Sequence, residues 1–224
     1  MTKINLLDIN NVIEQLDLLY TAKNVFSNDK FKLYSYLLFD GSEYIELTNY
    51  KNDILGNYEM RKVLNFSKIN CIDNSESFDK FLNKKYIKLE LSNLTLIDLN
   101  STIQITKENY KNLKSLEDNV LKTKQKNIIN VTSICNNVVQ MQLPNNKKLM
   151  KLQLINKEGT VMIDCIIWNN NSQFQIGFNY NFDCLTFEED INTCRLIFNK
   201  FSTFQELKQV TVTKKQNLIN LSIS

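Results

Sequence analysis

The sequence predicts a mainly β protein made of two tandem units, and three observations carry that expectation. Short apolar and aromatic runs, bounded by Gly, Asn, Asp and Ser clusters, recur along most of the chain as strand signals. A hairpin pattern in the first half returns about 118 residues later, with Gly41 opposite Gly159. Between the two halves lies a lysine-rich stretch of different character. With 224 residues, 43% hydrophobic and 23% charged, the chain is long enough for one large domain or two of about 110 residues.

In the first half, 16–26 (LDLLYTAKNVF) and 31–40 (FKLYSYLLFD) read as strands. Gly41-Ser42 then makes a tight turn into 43–48 (EYIELT). The spacing of Ile54, Leu55 and Tyr58 predicts a short helix within 50–60, weakened by Gly56. Residues 61–72 and 86–99 read as two longer strands around a polar loop at 73–85. Five strands with a helix between the third and fourth is the pattern of the OB-fold, a small Greek-key barrel that uses the face of its strands 2 and 3 and its loops 1-2 and 4-5 for ligands.

Residues 101–126 carry six lysines, at 107, 111, 114, 122, 124 and 126, and read as a linker containing one short helix. The strand pattern resumes with 128–143, 147–156, a Lys157-Glu158-Gly159 turn and 160–168. Further runs at 174–182, 193–201 and 207–221 are strand-like, with an acidic helical turn expected within 182–191. The expected organisation is an N-terminal OB-fold domain at 1–100, a linker and helix at 101–126, and a second OB-fold domain at 127–224.

Composition narrows the function. There is no histidine, so a Ser/Cys-His triad, a His-containing zinc site and a His general base are all excluded. Phosphate-binding glycine loops and nucleophile elbows are absent too, which argues against an enzyme. The five cysteines, at 71, 135, 165, 184 and 194, include no C-x-x-C pair and read as buried small hydrophobes in a reducing, intracellular compartment. No metal or cofactor is expected. No apolar run approaches the length of a membrane span, and the N-terminus has no signal-peptide pattern.

From Tyr34 to Asp98 the chain resembles the N-terminal OB domain of the large subunit of replication protein A, in YSYLLFDGSEYIEL, MRKVLNFSKIN and KKYIKLELSNLTLIDL. From Ile128 it is similar to the next OB domain of that subunit, in KKLMKLQLINKEG followed by TVMIDCIIWN. The resemblance implies single-stranded DNA binding by the second domain and protein recruitment through a basic groove by the first. It also implies a nuclear role in DNA replication, repair or telomere maintenance, within a hetero-oligomer. On the second strand, Met150 stands where the family's DNA-binding domains carry a stacking aromatic.

Single-strand binding needs aromatic faces for bases and Lys or Arg for phosphates. Alternation in the first hairpin places Lys32, Tyr34 and Tyr36 on one face and Leu33, Leu37 and Phe39 on the other, which makes Tyr34 and Tyr36 an outward platform if the second set is core. In the second half, Lys147, Lys148 and Lys151 flank loop 1-2. Trp168, the only tryptophan, ends the third strand, either as a stacking ring or as a plug for the barrel end. Lys200 and Phe201 are expected in loop 4-5. Arg61, Lys62 and Lys68, on the expected fourth strand of the first domain, are the candidates for a protein-binding basic groove.

Charge weighs on the other side. The 27 basic and 24 acidic residues leave a net charge of +3, and Glu188-Glu189-Asp190 would repel phosphate. Two readings follow: a non-catalytic OB-fold subunit that binds single-stranded DNA and recruits proteins, or an adaptor that scaffolds a larger nucleic-acid enzyme complex without touching DNA.

Overall fold

The computed structural model describes residues 3–50, 52–73, 87–106, 109–113, 127–168, 171–190, 193–209 and 219–220. The chain divides into two compact units, Met1–Glu108 and Asn109–Ser224. The lysine-rich segment at 114–126, most of the polar loop at 73–85 and most of the expected strand at 207–221 lie outside the described residues.

The first unit contains β1 (Val12–Ile13), β2 (Leu16–Ser27), β3 (Lys32–Phe39), β4 (Tyr44–Tyr50), β5 (Val63–Ser67), β6 (Ile69–Asp73), β7 (Ile87–Glu90) and β8 (Leu96–Leu99). They hydrogen-bond in the order β1-β6-β7-β4-β3-β2-β5-β8, with β4 and β7 parallel. β5 and β6 are two halves of one strand, broken at Lys68 with φ 55°. Because β6 pairs with β7 and β5 with β2, this bend carries the sheet round into a five-stranded barrel. The Ser92 and Thr95 hydroxyls both donate to the Lys68 carbonyl at 2.9 Å and hold the bend.

Two sequence expectations change here. The run 86–99 is two short strands, because Ser92 to Thr95 closes a turn inside it. Residues 53–58 form consecutive tight turns instead of a helix, with Gly56 N–H donating to the Asp53 carbonyl and Tyr58 N–H to that of Leu55. A helix at this place would compete with the Asp53 carboxylate, which accepts from Lys23 Nζ and, at 2.9 Å, from the Tyr36 hydroxyl. Gly56 makes room for that carboxylate, since a Cβ there would stand 2.9 Å from it.

The second unit contains β9 (Lys111–Asn112), β10 (Asn127–Gln142), β11 (Lys148–Ile155), β12 (Val161–Trp168), β13 (Phe178–Asp190), β14 (Thr193–Phe198), β15 (Thr203–Gln209) and β16 (Ile219–Asn220). The ring β10-β11-β12-β14-β13 closes by pairing β13 back onto β10, and β12 runs parallel to β14. This matches the first barrel strand for strand. Its fourth strand, β13, also turns at a non-glycine residue with φ 55°, Cys184, whose N–H is taken by buried Asn130 Oδ1 at 3.0 Å. The acidic stretch 188–190 therefore ends a strand and does not form a helical turn.

The hairpin repeat is real at the level of turns. Buried Asp40 accepts from the Ser42 and Glu43 N–H groups at 2.7 and 2.8 Å, and buried Asn156 accepts from those of Thr160 and Val161 at 2.8 and 3.0 Å. An Asx side chain organises each loop. Gly41 and Gly159 then supply the positive φ, 92° and 64°. The second loop is two residues longer between paired positions, so equivalent residues are 116 apart before it and 118 apart after it.

Each barrel has its own core. The first is built on Leu16, Leu18, Tyr36, Leu38, Leu47, Leu64, Phe66 and Leu89, and the second on Val131, Leu152, Leu154, Ile163, Cys165, Tyr180, Phe182 and Leu196. All five cysteines are buried as free thiols, and burial pushes the Cys135 thiol up to about 11. The native protein should therefore react with iodoacetamide at pH 8 at least about tenfold more slowly than the urea-unfolded chain, read by mass spectrometry.

Candidate nucleic-acid interface

Inside a barrel, strand residues alternate between core and outward face, and residues directly paired across strands share a face. On β11, Met150, Leu152 and Leu154 point into the core, which leaves Leu149, Lys151 and Gln153 outward. Met150 is thus a core residue, and its lack of an aromatic ring has no bearing on the outward face. Register pairs Leu149 with Met141 of β10 on one side and with Trp168 of β12 on the other. These three form a row about 10 Å across, from the interstrand spacing. Trp168 is 49% exposed and Met141 42%, so the indole stands on the outward face and does not plug the barrel end.

Lysines border this row. Lys147 closes the loop between β10 and β11 with its carbonyl accepting from Leu143 N–H at 2.7 Å, and its side chain is exposed. Lys148 is exposed next to it and donates to Asn171 Oδ1 at 3.2 Å, beyond the end of β12. The structure therefore places Lys147, Lys148 and Trp168 at the same end of the barrel. Lys151 lies on the same face but is bound to Asp164 at 2.6 Å. Glu188 of the acidic stretch is also engaged, since Arg195 Nη2 and Nε reach its Oε2 at 2.7 and 2.8 Å.

Other sequence candidates are corrected. Tyr36 is fully buried, with its hydroxyl donating to Asp53, and Tyr34 packs partly buried against the same core under Lys23. Neither is an outward platform. β3 misled the alternation because Leu37 and Phe39 on its other face are buried too, so neither face is polar. Phe201 is also buried, and Lys200 lies over its ring at 5.1 Å. Both sit in the turn from β14 to β15, after the fifth barrel strand and not in loop 4-5. Loop 4-5 of this barrel, 191–192, is outside the described residues. Most late aromatics are core as well: Phe174, Tyr180, Phe182 and Phe204 pack on one another with centroids 4.6 to 6.3 Å apart.

Arg61 and Lys62 precede β5, in a turn where Arg61 takes φ 71° and Lys62 Nζ is 3.9 Å from Glu59. Lys68 is at the opposite end of β5, about 20 Å away along an extended strand. The three therefore do not line one stretch of strand.

The first barrel holds a feature that sequence reading missed. Register pairs Leu33 of β3 with Phe26 of β2 and Tyr50 of β4, the places that Leu149, Met141 and Trp168 occupy in the second barrel. Tyr50 is 61% exposed and Phe26 52%, and Phe31 from the intervening loop joins them with centroids 5.9 and 6.1 Å from the two rings. Lys30 and Lys32 flank Phe31 and are exposed. Lys32-Leu33 matches Lys148-Leu149 at the start of the second strand, and that dipeptide repeat is the sequence signal that would have found the site. Each barrel thus presents an aromatic ledge at the end of its third strand, beside the lysines of its loop 1-2.

No protein-family profile matches the chain, and no curated protein matches it either. Solved structures do. A chain of a replication protein A heterotrimer bound to ssDNA superposes with a TM-score of 0.55 at 16% identity, over 99% of this chain and 57% of that one. The p204 HINb domain superposes at 0.53 with 10% identity, over 90% of this chain and all of that one. A murine DNA binding protein bound with ds DNA gives 0.53 and 10%, over 91% and 100%. The fold is that of tandem OB barrels. This chain spans little more than half the length of the replication protein A chain. Among the described residues no group of three or more His, Cys, Asp or Glu is placed to hold a metal ion.

Proposed function

We propose that this chain is a non-catalytic tandem OB-fold protein that binds single-stranded nucleic acid by stacking bases on the two outward ledges. The observation that carries the reading is the repeated row itself, Phe26–Leu33–Tyr50 and Met141–Leu149–Trp168, set on the strand 2 and 3 face that OB-folds use for oligonucleotides. An exposed ring on a sheet face offers its flat side to an unstacked base. A duplex keeps its bases paired and stacked away from such a ring, so the geometry favours a single strand. Lys147, Lys148, Lys30 and Lys32 are the phosphate contacts. The replication protein A heterotrimer among the structural neighbours is bound to ssDNA, which supports the same reading, while the murine DNA binding protein, bound with ds DNA, supports nucleic-acid binding in general.

The finer role follows the resemblance to replication protein A: a nuclear subunit of a hetero-oligomer acting in DNA replication, repair or telomere maintenance. Recruitment of an acidic partner by Arg61 and Lys62 belongs to this proposal. An adaptor that binds only proteins is the second reading, favoured by the carboxylates that occupy Lys151 and Arg195. Fluorescence anisotropy of labelled oligo-dT separates them. Binding at about 50 mM salt that weakens steeply by about 300 mM supports the first reading, and no binding at micromolar protein in about 50 mM salt removes it.

The ledge of the first barrel makes its own prediction. Phe31→Ala with Tyr50→Ala should weaken oligo-dT binding about tenfold while leaving the circular dichroism spectrum unchanged, because both rings are exposed.

A further inference from the structure

The outward face of the second barrel carries a cross-strand charge ladder that the binding reading leaves unexplained. Gln153, Asp164, Arg195 and Glu188 are paired neighbours across β11, β12, β14 and β13, and Lys151 reaches into this row from the next one. Two cations on the face are thereby each held by a carboxylate, Lys151 by Asp164 and Arg195 by Glu188. The side chains of Asp164 and Glu188 are each only 13% exposed, against 37% for Lys151 and 53% for Arg195.

That asymmetry matters for a strand of phosphates. A phosphate meeting Lys151 or Arg195 must displace a carboxylate that is already in place, at 2.6 to 2.8 Å, and would leave that mostly buried carboxylate without its cation. We infer that Asp164 and Glu188 act as internal phosphate mimics, which compete with nucleic acid for Lys151 and Arg195 and so hold single-strand affinity down. The inference rests on the reading of this face as the nucleic-acid interface. It assigns to Asp164 and Glu188 an attenuating role and, on the second barrel, confines phosphate contacts in the ground state to the loop lysines at 147 and 148. The net charge of the chain already limits long-range attraction, and the ladder limits the local attraction as well.

The test is a double-mutant cycle on the full chain, read by anisotropy with labelled oligo-dT at several salt concentrations. Asp164→Asn should bind about fivefold more tightly at ~50 mM salt, with the slope of log K against log salt steeper by about 0.7, one added phosphate contact. Lys151→Met alone should change affinity less than about twofold, because its ammonium is occupied, and combined with Asp164→Asn it should abolish the gain. Unchanged or weaker binding by a folded Asp164→Asn protein overturns the inference. So does a gain that persists in the double variant, since that would be a general effect of charge. Glu188→Gln is an independent arm acting through Arg195: a gain in affinity supports the inference and none by a folded variant counts against it, even if Asp164→Asn does not fold. The binding reading is judged separately, by whether the unmodified chain binds and whether Trp168→Ala weakens it.

Discussion

Trp168→Ala should weaken binding of oligo-dT by about 30-fold, with no loss of thermal stability. A base stacked on an aromatic ring is worth about 1 to 3 kcal/mol by alanine substitution, and about 2 kcal/mol corresponds to that factor. The indole is half exposed at the end of β12, so its removal leaves no cavity in the core. Trp168→Phe should recover most of the affinity because a flat ring remains. An alanine variant that binds like the parent would take Trp168 out of the interface and leave the first barrel as the only ledge supported.

Asp40→Ala should destabilise the first barrel by about 3 kcal/mol, measured by urea unfolding at pH 7. The Asp40 carboxylate is buried at the turn from β3 to β4 and accepts from the Ile4, Ser42 and Glu43 N–H groups and from the Ser42 hydroxyl, at 2.7 to 2.8 Å. Truncation would strand the buried Ile4 N–H, at a cost of about 1 to 3 kcal/mol, and the part-buried Ser42 and Glu43 donors, which cost less because water can enter the loop. Burial alone would raise the pKa of this carboxyl, but the hydrogen bonds from Ser42, Glu43 and Ile4 outweigh it and hold the value below that of a free Asp. A carboxyl depressed on folding contributes stability above its unfolded pKa, about 4, and loses it as the pH falls through the folded value. The gap between parent and Asp40→Ala should therefore narrow below about pH 4.

Much of the architecture was legible because turn chemistry is local. The D-G-S and N-K-E-G stretches marked the two hairpins, and β2, β3, β4, β10, β11 and β12 fall close to their expected runs. What escaped depended on contacts made at a distance. The fourth strand bends at Lys68 in one barrel and at Cys184 in the other, and neither residue type signals positive φ. The turn series at 53–58 is set by Asp53 meeting Lys23 and Tyr36, partners 30 and 17 residues away.

The candidate site was legible where a residue had no apolar competitor for its place. Trp168, Lys147 and Lys148 end or begin strands beside polar loops, and the fold leaves them outside. Tyr34 and Tyr36 were misassigned because β3 is covered on both faces, so alternation offered two apolar sets with no polar one to mark the outside. Phe26, Phe31 and Tyr50 went unnoticed for the complementary reason: they come from two strands and a loop, and only the register sets Phe26 and Tyr50 on either side of Leu33, where the Phe31 ring lies about 6 Å from each. Lys151 and Arg195 could be placed on a strand from sequence, but their carboxylate partners come from neighbouring strands.

The most direct test of the central claim uses the single tryptophan as its own reporter. Unlabelled oligo-dT should be titrated into the full chain at about 50 mM salt while Trp168 emission is followed. The account predicts saturable quenching, with a midpoint matching the anisotropy isotherm, and loss of both quenching and bound oligonucleotide as salt is raised. Emission that stays constant while the oligonucleotide is shown by anisotropy to be bound would contradict it, because the strand would then lie somewhere other than the β11 and β12 face.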